Sequence, residues 1–165
     1  MANKIYIAEE TALDWTETGG TYTLDCGGLA AAAVRVGARG DLGSGSRSEW
    51  YTWRVVVDGF DAAPVVGETV DVYLSTSDGT NEDANVGTSD AGGVVAQLPN
   101  LLYLGSATVQ TTTAADQLIA SGIVRITARY VSPVIHNKTA VAMYGGATTA
   151  DNHHFYLTPV PPEVQ

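Results

Sequence analysis

Residues 49–57 alternate strictly: Tyr51, Trp53, Val55 and Val57 fall on one face, and Trp50, Thr52, Arg54 and Val56 on the other. A period of two predicts a β-strand, and the first face is apolar enough to be core. Asp58-Gly59 offers a turn and Pro64 interrupts the chain. The alternation resumes over residues 68–76, with Val70, Val72 and Leu74 opposed to Thr69, Asp71, Tyr73 and Ser75, which predicts a second, half-buried strand. Residues 75–93 are mostly Ser, Thr, Asn, Asp and Gly, so they read as a long surface loop carrying Asp78, Glu82, Asp83 and Asp90. Strand character returns over residues 101–109. It returns again over 122–131, where Val124, Ile126, Ala128 and Tyr130 point inward and Ile123, Arg125, Thr127 and Arg129 outward. On that reading Arg125 and Arg129 share a face.

Shorter strand candidates lie at residues 4–8, 21–25, 31–37, 134–136, 139–144 and 154–157. One helical turn is expected at residues 114–120, where Thr113 and Asp116 have the spacing of a capping pair. Ala30 to Ala33 also has helical composition, but Gly27, Gly28 and Gly37 around it argue against a helix. Many short strands without alternating helices predict an all-β fold, an antiparallel β-sandwich of jelly-roll type. One domain over residues 1–158 is expected, followed by an extended Pro-rich tail at 159–165 that crosses the surface.

Composition narrows the function. Eighteen acidic against eight basic residues give a formal charge of −10, which repels phosphate, so no nucleic-acid partner is expected. No segment has the length and apolarity of a membrane-spanning helix, and no membrane partner is expected. The N-terminus has no basic stretch leading into a long apolar run, so synthesis in cytosol-like conditions is expected. With Cys26 as the single cysteine, the fold depends on its core rather than on disulfides.

Chemistry-bearing patterns are sparse. Gly43-Ser44-Gly45-Ser46 lacks the Gly-x-Ser-x-Gly order of a nucleophile elbow, and neither Lys4 nor Lys138 follows a phosphate-cradling glycine loop. On a strand His153 and His154 point to opposite faces, so they cannot hold one metal ion together, although His136 could join one of them. The run from Asp78 to Asp83 has oxygen ligands but not the order of a calcium-binding loop, and reads as a solvated acidic loop. Asn137-Lys138-Thr139 matches a glycosylation sequon and reads as an ordinary turn. Trp53 belongs to the predicted core. Trp50 reads as core or subunit contact ahead of a sugar-stacking platform. Cys26 reads as a small buried residue. No cofactor, metal or catalytic residue is expected.

Three stretches, residues 73–80 (YLSTSDGT), 129–139 (RYVSPVIHNKT) and 155–163 (FYLTPVPPE), resemble in style and order the capsid decoration or cement proteins of tailed bacteriophages. They cover about a fifth of the chain. The resemblance implies a non-enzymatic β-sandwich on the outer surface of the virion, which stabilises the shell by binding the major capsid protein as a homotrimer. Candidate contact residues on this reading are Arg125, Arg129, Tyr73, Pro159, Pro161 and Pro162. The alternative is a carbohydrate- or receptor-binding jelly-roll module of a phage tail or fibre.

Overall fold

The computed structural model describes residues 5–7, 10–45, 47–146, 153–160 and 162–164. Among these residues thirteen strands form: β1 Ile5–Ile7, β2 Leu13–Thr16, β3 Tyr22–Thr23, β4 Val34–Val36, β5 Gly40–Asp41, β6 Trp50–Val57, β7 Thr69–Ser77, β8 Ala91–Gly93, β9 Leu102–Thr108, β10 Leu118–Arg125, β11 Tyr130–Asn137, β12 His153–Pro159 and β13 Pro162–Val164. One sheet has five strands in the order β10-β6-β12-β2-β3. The other has six, ordered β8-β4-β11-β7-β9 with β5 also paired to β11. Almost all pairings are antiparallel; β2 and β3 run parallel. From β9 onward the chain crosses between the sheets at each step to β12, as in a jelly roll.

The core follows from the alternation. Tyr51, Trp53, Val55 and Val57 of β6 are all buried, and they meet Val70, Val72 and Leu74 of β7 across the sandwich. Trp15 and Phe155 add an edge-to-face ring pair at 5.8 Å. The indole of Trp53 lies under Gly122 of β10 and Gly105 of β9; a Cβ on Gly122 would stand 2.7 Å from Trp53 Nε1. Glycine at 122 is therefore a packing requirement.

Several expectations need correction. Residues 122–131 are not one strand: β10 ends at Arg125, the chain crosses to the other sheet, and β11 begins at Tyr130. The crossing is held by Ile126 N–H donating to Glu49 O at 2.8 Å and Leu42 N–H donating to Arg129 O at 2.9 Å. Arg125 thus ends a strand of the five-stranded sheet, while Arg129 lies in the crossing, just before β11 of the other sheet. The turn expected at 114–120 is not helical, because Leu118 already starts β10; short 3-10 turns form instead at Asp83–Asn85 and Val95–Asn100. Residues 139–144 make a single bridge, Phe60 with Met143, rather than a strand.

The acidic loop is also more than a loop. Its continuation over residues 84–101 folds back across the outer face of the six-stranded sheet. There Leu98 and Leu101 join Val34, Val36 and Val134 in a second small core flanked by Ala84, Val86 and Tyr73. As a result β7 and β11 are covered on both faces, and Asp71, Ser75, Ser132 and His136 are buried. Pro133 is tolerated inside central β11 because its carbonyl side faces the break between β4 and β5, where Gly37 N–H donates to Pro133 O at 2.8 Å. At the C-terminus, Pro159 still belongs to β12, and β13 pairs antiparallel with β1, so the tail is tied to the start of the chain.

Candidate functional site

With β4, β11 and β7 covered on their outer side, the five-stranded sheet has the more open outer face, and strand register dictates what it presents. Ile123 of β10, Thr52 of β6 and Thr158 of β12 form one row. Ser121, Arg54, Tyr156 and Asp14 form the next, and Ile119, Val56 and His154 a third, whose last position, Thr16, is buried. Trp50 stands beside Arg125 at the end of this surface. A shallow groove of about 590 Å³ runs over the middle rows, lined by Thr52, Arg54, Val56, Ser121, Tyr156 and Thr158.

The face is amphipathic in a defined way. Ile123 is 70 % exposed, Trp50 51 % and Ile119 47 %, so large apolar groups lie open along β10 and the neighbouring end of β6. Toward β2 the surface turns polar: the His154 ring stacks on Tyr156 at 5.1 Å, nearly parallel, and its Nδ1 lies 3.0 Å from Asp14 Oδ1. Arg54 is exposed between these zones.

The other polar clusters are closed on themselves. On the opposite sheet Asp71, 6 % exposed, accepts from Ser106 Oγ at 2.5 Å and pairs with Lys138 Nζ at 3.2 Å. Ser106 Oγ is also 2.5 Å from the Tyr103 hydroxyl. A cleft of about 280 Å³ beside this network is roofed by Val95, Leu98 and Pro99. At the end of the sandwich, a depression of about 340 Å³ is crossed by two side-chain hydrogen bonds: Thr111 Oγ1 donates to Asp116 Oδ2 and Gln117 Nε2 to Asp58 Oδ1, each at 2.6 Å.

Buried titratable groups are likewise committed. His153 Nδ1 accepts from Asp58 N–H at 3.3 Å, which leaves Nε2 to donate to Tyr144 O at 2.9 Å. Burial holds this ring neutral by pushing its pKa below the usual value. Burial also raises the Cys26 thiol far above its ordinary range, with the Glu17 charge adding to the effect, so it is not a ready nucleophile. Asn137 is fully buried and its amide donates to the Leu29, Ala30 and Val141 carbonyls, so the sequon asparagine is a core bracket. Among the described residues no three His, Cys, Asp or Glu side chains come together as metal ligands.

The candidate contact residues disperse. Arg125 lies on the open face, bonded to Glu49 at 2.6 and 2.9 Å. Arg129 sits at the start of β11, bonded to Asp41 at 2.6 and 2.8 Å, with its guanidinium 4.8 Å from the Tyr130 ring centre; this pairing, with help from Gly43 N–H, pulls Asp41 down to about 2. Tyr73 is on the covered face of β7, tilted against Tyr103 at 5.2 Å. Pro159 ends β12 opposite Tyr51, Pro162 opens β13, and Pro161 lies outside the described residues. Of Arg125, Arg129, Tyr73 and Pro159, Arg125 alone lies on the open face. Of its other main members, Ile123 and Arg54 were readable as outward positions of two strands, whereas Ile119 fell in the expected helical turn and Ser121 in no predicted element. What the sequence did not reveal was that β10 and β6 are neighbours.

No protein-family model matches the chain, and no curated protein sequence is significantly similar to it. Among solved structures it is similar to the C-terminal domain of EclA, a sugar-binding protein, at 14 % identity and a TM-score of 0.32, covering 96 % of this chain and 79 % of that one. It is also similar to the N-terminal cellulose-binding domain of β-1,4-glucanase C from Cellulomonas fimi, at 12 % identity and a TM-score of 0.35, covering 93 % and 88 %. Likeness at this level assigns no ligand; the sandwich rests on its own strand pairing.

Proposed function

We propose that this chain is a non-catalytic structural protein that docks, by the outer face of its five-stranded sheet, onto the outer surface of a tailed-phage capsid and stabilises the shell. The observation that carries the docking face is the apolar strip of Ile119, Ile123 and Trp50. Ile119 and Ile123 stand on either side of Ser121 along β10, with Trp50 one row beyond Ile123; large apolar side chains left in water favour burial against a partner. At about 25 cal/mol per Å² they offer it several kcal/mol. Ile119 and Ile123 are aliphatic and suit a protein surface better than a glycan, whose rings stack on aromatics; Trp50 is the aromatic member of the strip. The major capsid protein as partner and the homotrimeric state rest on the resemblance in residues 73–80, 129–139 and 155–163. A symmetric oligomer multiplies modest contacts through effective concentration.

One feature favours a second reading, a saccharide-binding module. The groove combines Tyr156 with hydroxyls from Thr52, Ser121 and Thr158. Co-sedimentation with phage heads stripped of this protein, run beside a glycan array, separates the two. Binding to heads with a gain in their heat resistance is expected. Glycan binding with no affinity for heads would replace the docking reading by the second one.

A further inference from the structure

Six of the eight basic residues are engaged within the chain. Arg35 bonds Asp90 through Nε at 2.9 Å, Arg39 bonds Glu82 at 2.9 Å, and Arg47 donates to Thr127 O at 2.5 Å. Arg125 bonds Glu49 at 2.6 Å, Arg129 bonds Asp41 at 2.6 Å, and Lys138 lies 3.2 Å from Asp71. Lys4 lies outside the described residues. Arg54 alone, among the described residues, has neither a carboxylate nor a carbonyl partner, in a chain where acidic residues outnumber basic ones eighteen to eight. It is also at the centre of the open face. Two carboxylates of that surface are occupied: Asp14, two strands away in the same row, faces His154, and Glu49 holds Arg125.

Covering this face with a partner removes Arg54 from water. An unpaired guanidinium in a dry interface is strongly unfavourable, whereas one met by a carboxylate in fork geometry gains charge-assisted hydrogen bonds. Ser121, Tyr156 and Thr52, its neighbours in the register, carry hydroxyls and supply no charge. Resting on the docking reading, we infer that the partner is a protein surface that presents an Asp or Glu carboxylate to Arg54, set among apolar groups that cover Ile123 and Ile119. Arg54 is then the specificity determinant of the interface, and the apolar strip its adhesive part.

The test measures affinity for heads stripped of this protein, using wild type, Arg54→Lys, Arg54→Gln, Arg54→Glu and Ile123→Asp. Arg54 is exposed, so these variants fold; melting curves check this. Arg54→Glu is expected to weaken binding at least tenfold, Arg54→Gln to weaken it less, and Arg54→Lys to retain most of it. Raising salt from about 0.05 to about 0.5 M is expected to weaken the wild type more than Arg54→Gln, because screening acts on the charge pair. If Ile123→Asp loses binding while Arg54→Glu binds like wild type, the carboxylate partner is refuted and the docking face stands. If the wild type does not bind heads, the docking reading falls, and this inference with it.

Discussion

His153 shows how one buried side chain sets a pH limit. Its ring stays neutral in the fold, bridging Asp58 and Tyr144, and burial lowers its pKa; His136, also buried, is lowered for the same reason. The unfolded chain takes up protons near the ordinary histidine value of about 6.5, before the folded chain does. Stability is therefore present above that value and is lost as pH falls through it toward the lower folded values. Asp41 and Asp78, each held at about 2 by hydrogen bonds, add a second loss below the ordinary aspartate value of 3.8. Melting temperatures are expected to drop between neutral pH and about pH 5, and again below the aspartate value; a flat profile across the first window would contradict the neutral buried rings. Neighbouring positions on β7 give a second check. Val72→Asp is expected to unfold the domain, since it buries an unpaired carboxylate. Asp71→Asn is expected to cost about 1–3 kcal/mol in denaturant titrations because it disturbs the Lys138 and Ser106 contacts. The alternation correctly placed Val72 inside, but it made Asp71 look exposed. Burial of that carboxylate comes from a segment with no period to read.

That segment, residues 84–101, is the element most poorly legible in the sequence. Val86, Leu98 and Leu101 are scattered among Gly, Ser, Asp and Asn, so neither a two-residue nor a 3.6-residue period signals the cover they form over β4 and β11. The long alternating runs that became β6 and β7 were legible because one face of each is core. The break at residues 126–129 was hidden for the opposite reason: alternation continues through Ile126 and Ala128 without a Gly or Pro, so two strands in two sheets read as one. Leu98→Ala is expected to cost about 2 kcal/mol, the low end for a buried leucine, because the cluster is small and can partly collapse. Hydrogen exchange should accelerate around Val34 and Val134 and leave β6 and β10 unchanged. Uniform acceleration would show that the cover and the sandwich unfold as one unit.

For the whole molecule, one sheet is covered over β4, β11 and β7 by the chain itself, and the other is left open with Ile119, Ile123, Trp50 and Arg54 on its surface. The outward half of β6 was legible in the sequence, but the composite face was not, since it depends on β10 pairing with β6. Docking by that face is the central claim, and a matched pair of charge insertions tests it most directly. Ile123→Asp places a carboxylate on the open face, and Val95→Asp places one on the covered side of the molecule, where Val95 is itself exposed. Both variants are expected to melt like wild type, within roughly 0.5 kcal/mol of its stability. Co-sedimentation with stripped heads should then be lost for Ile123→Asp and kept for Val95→Asp. Equal binding by both, or loss by Val95→Asp alone, would contradict docking through the five-stranded sheet.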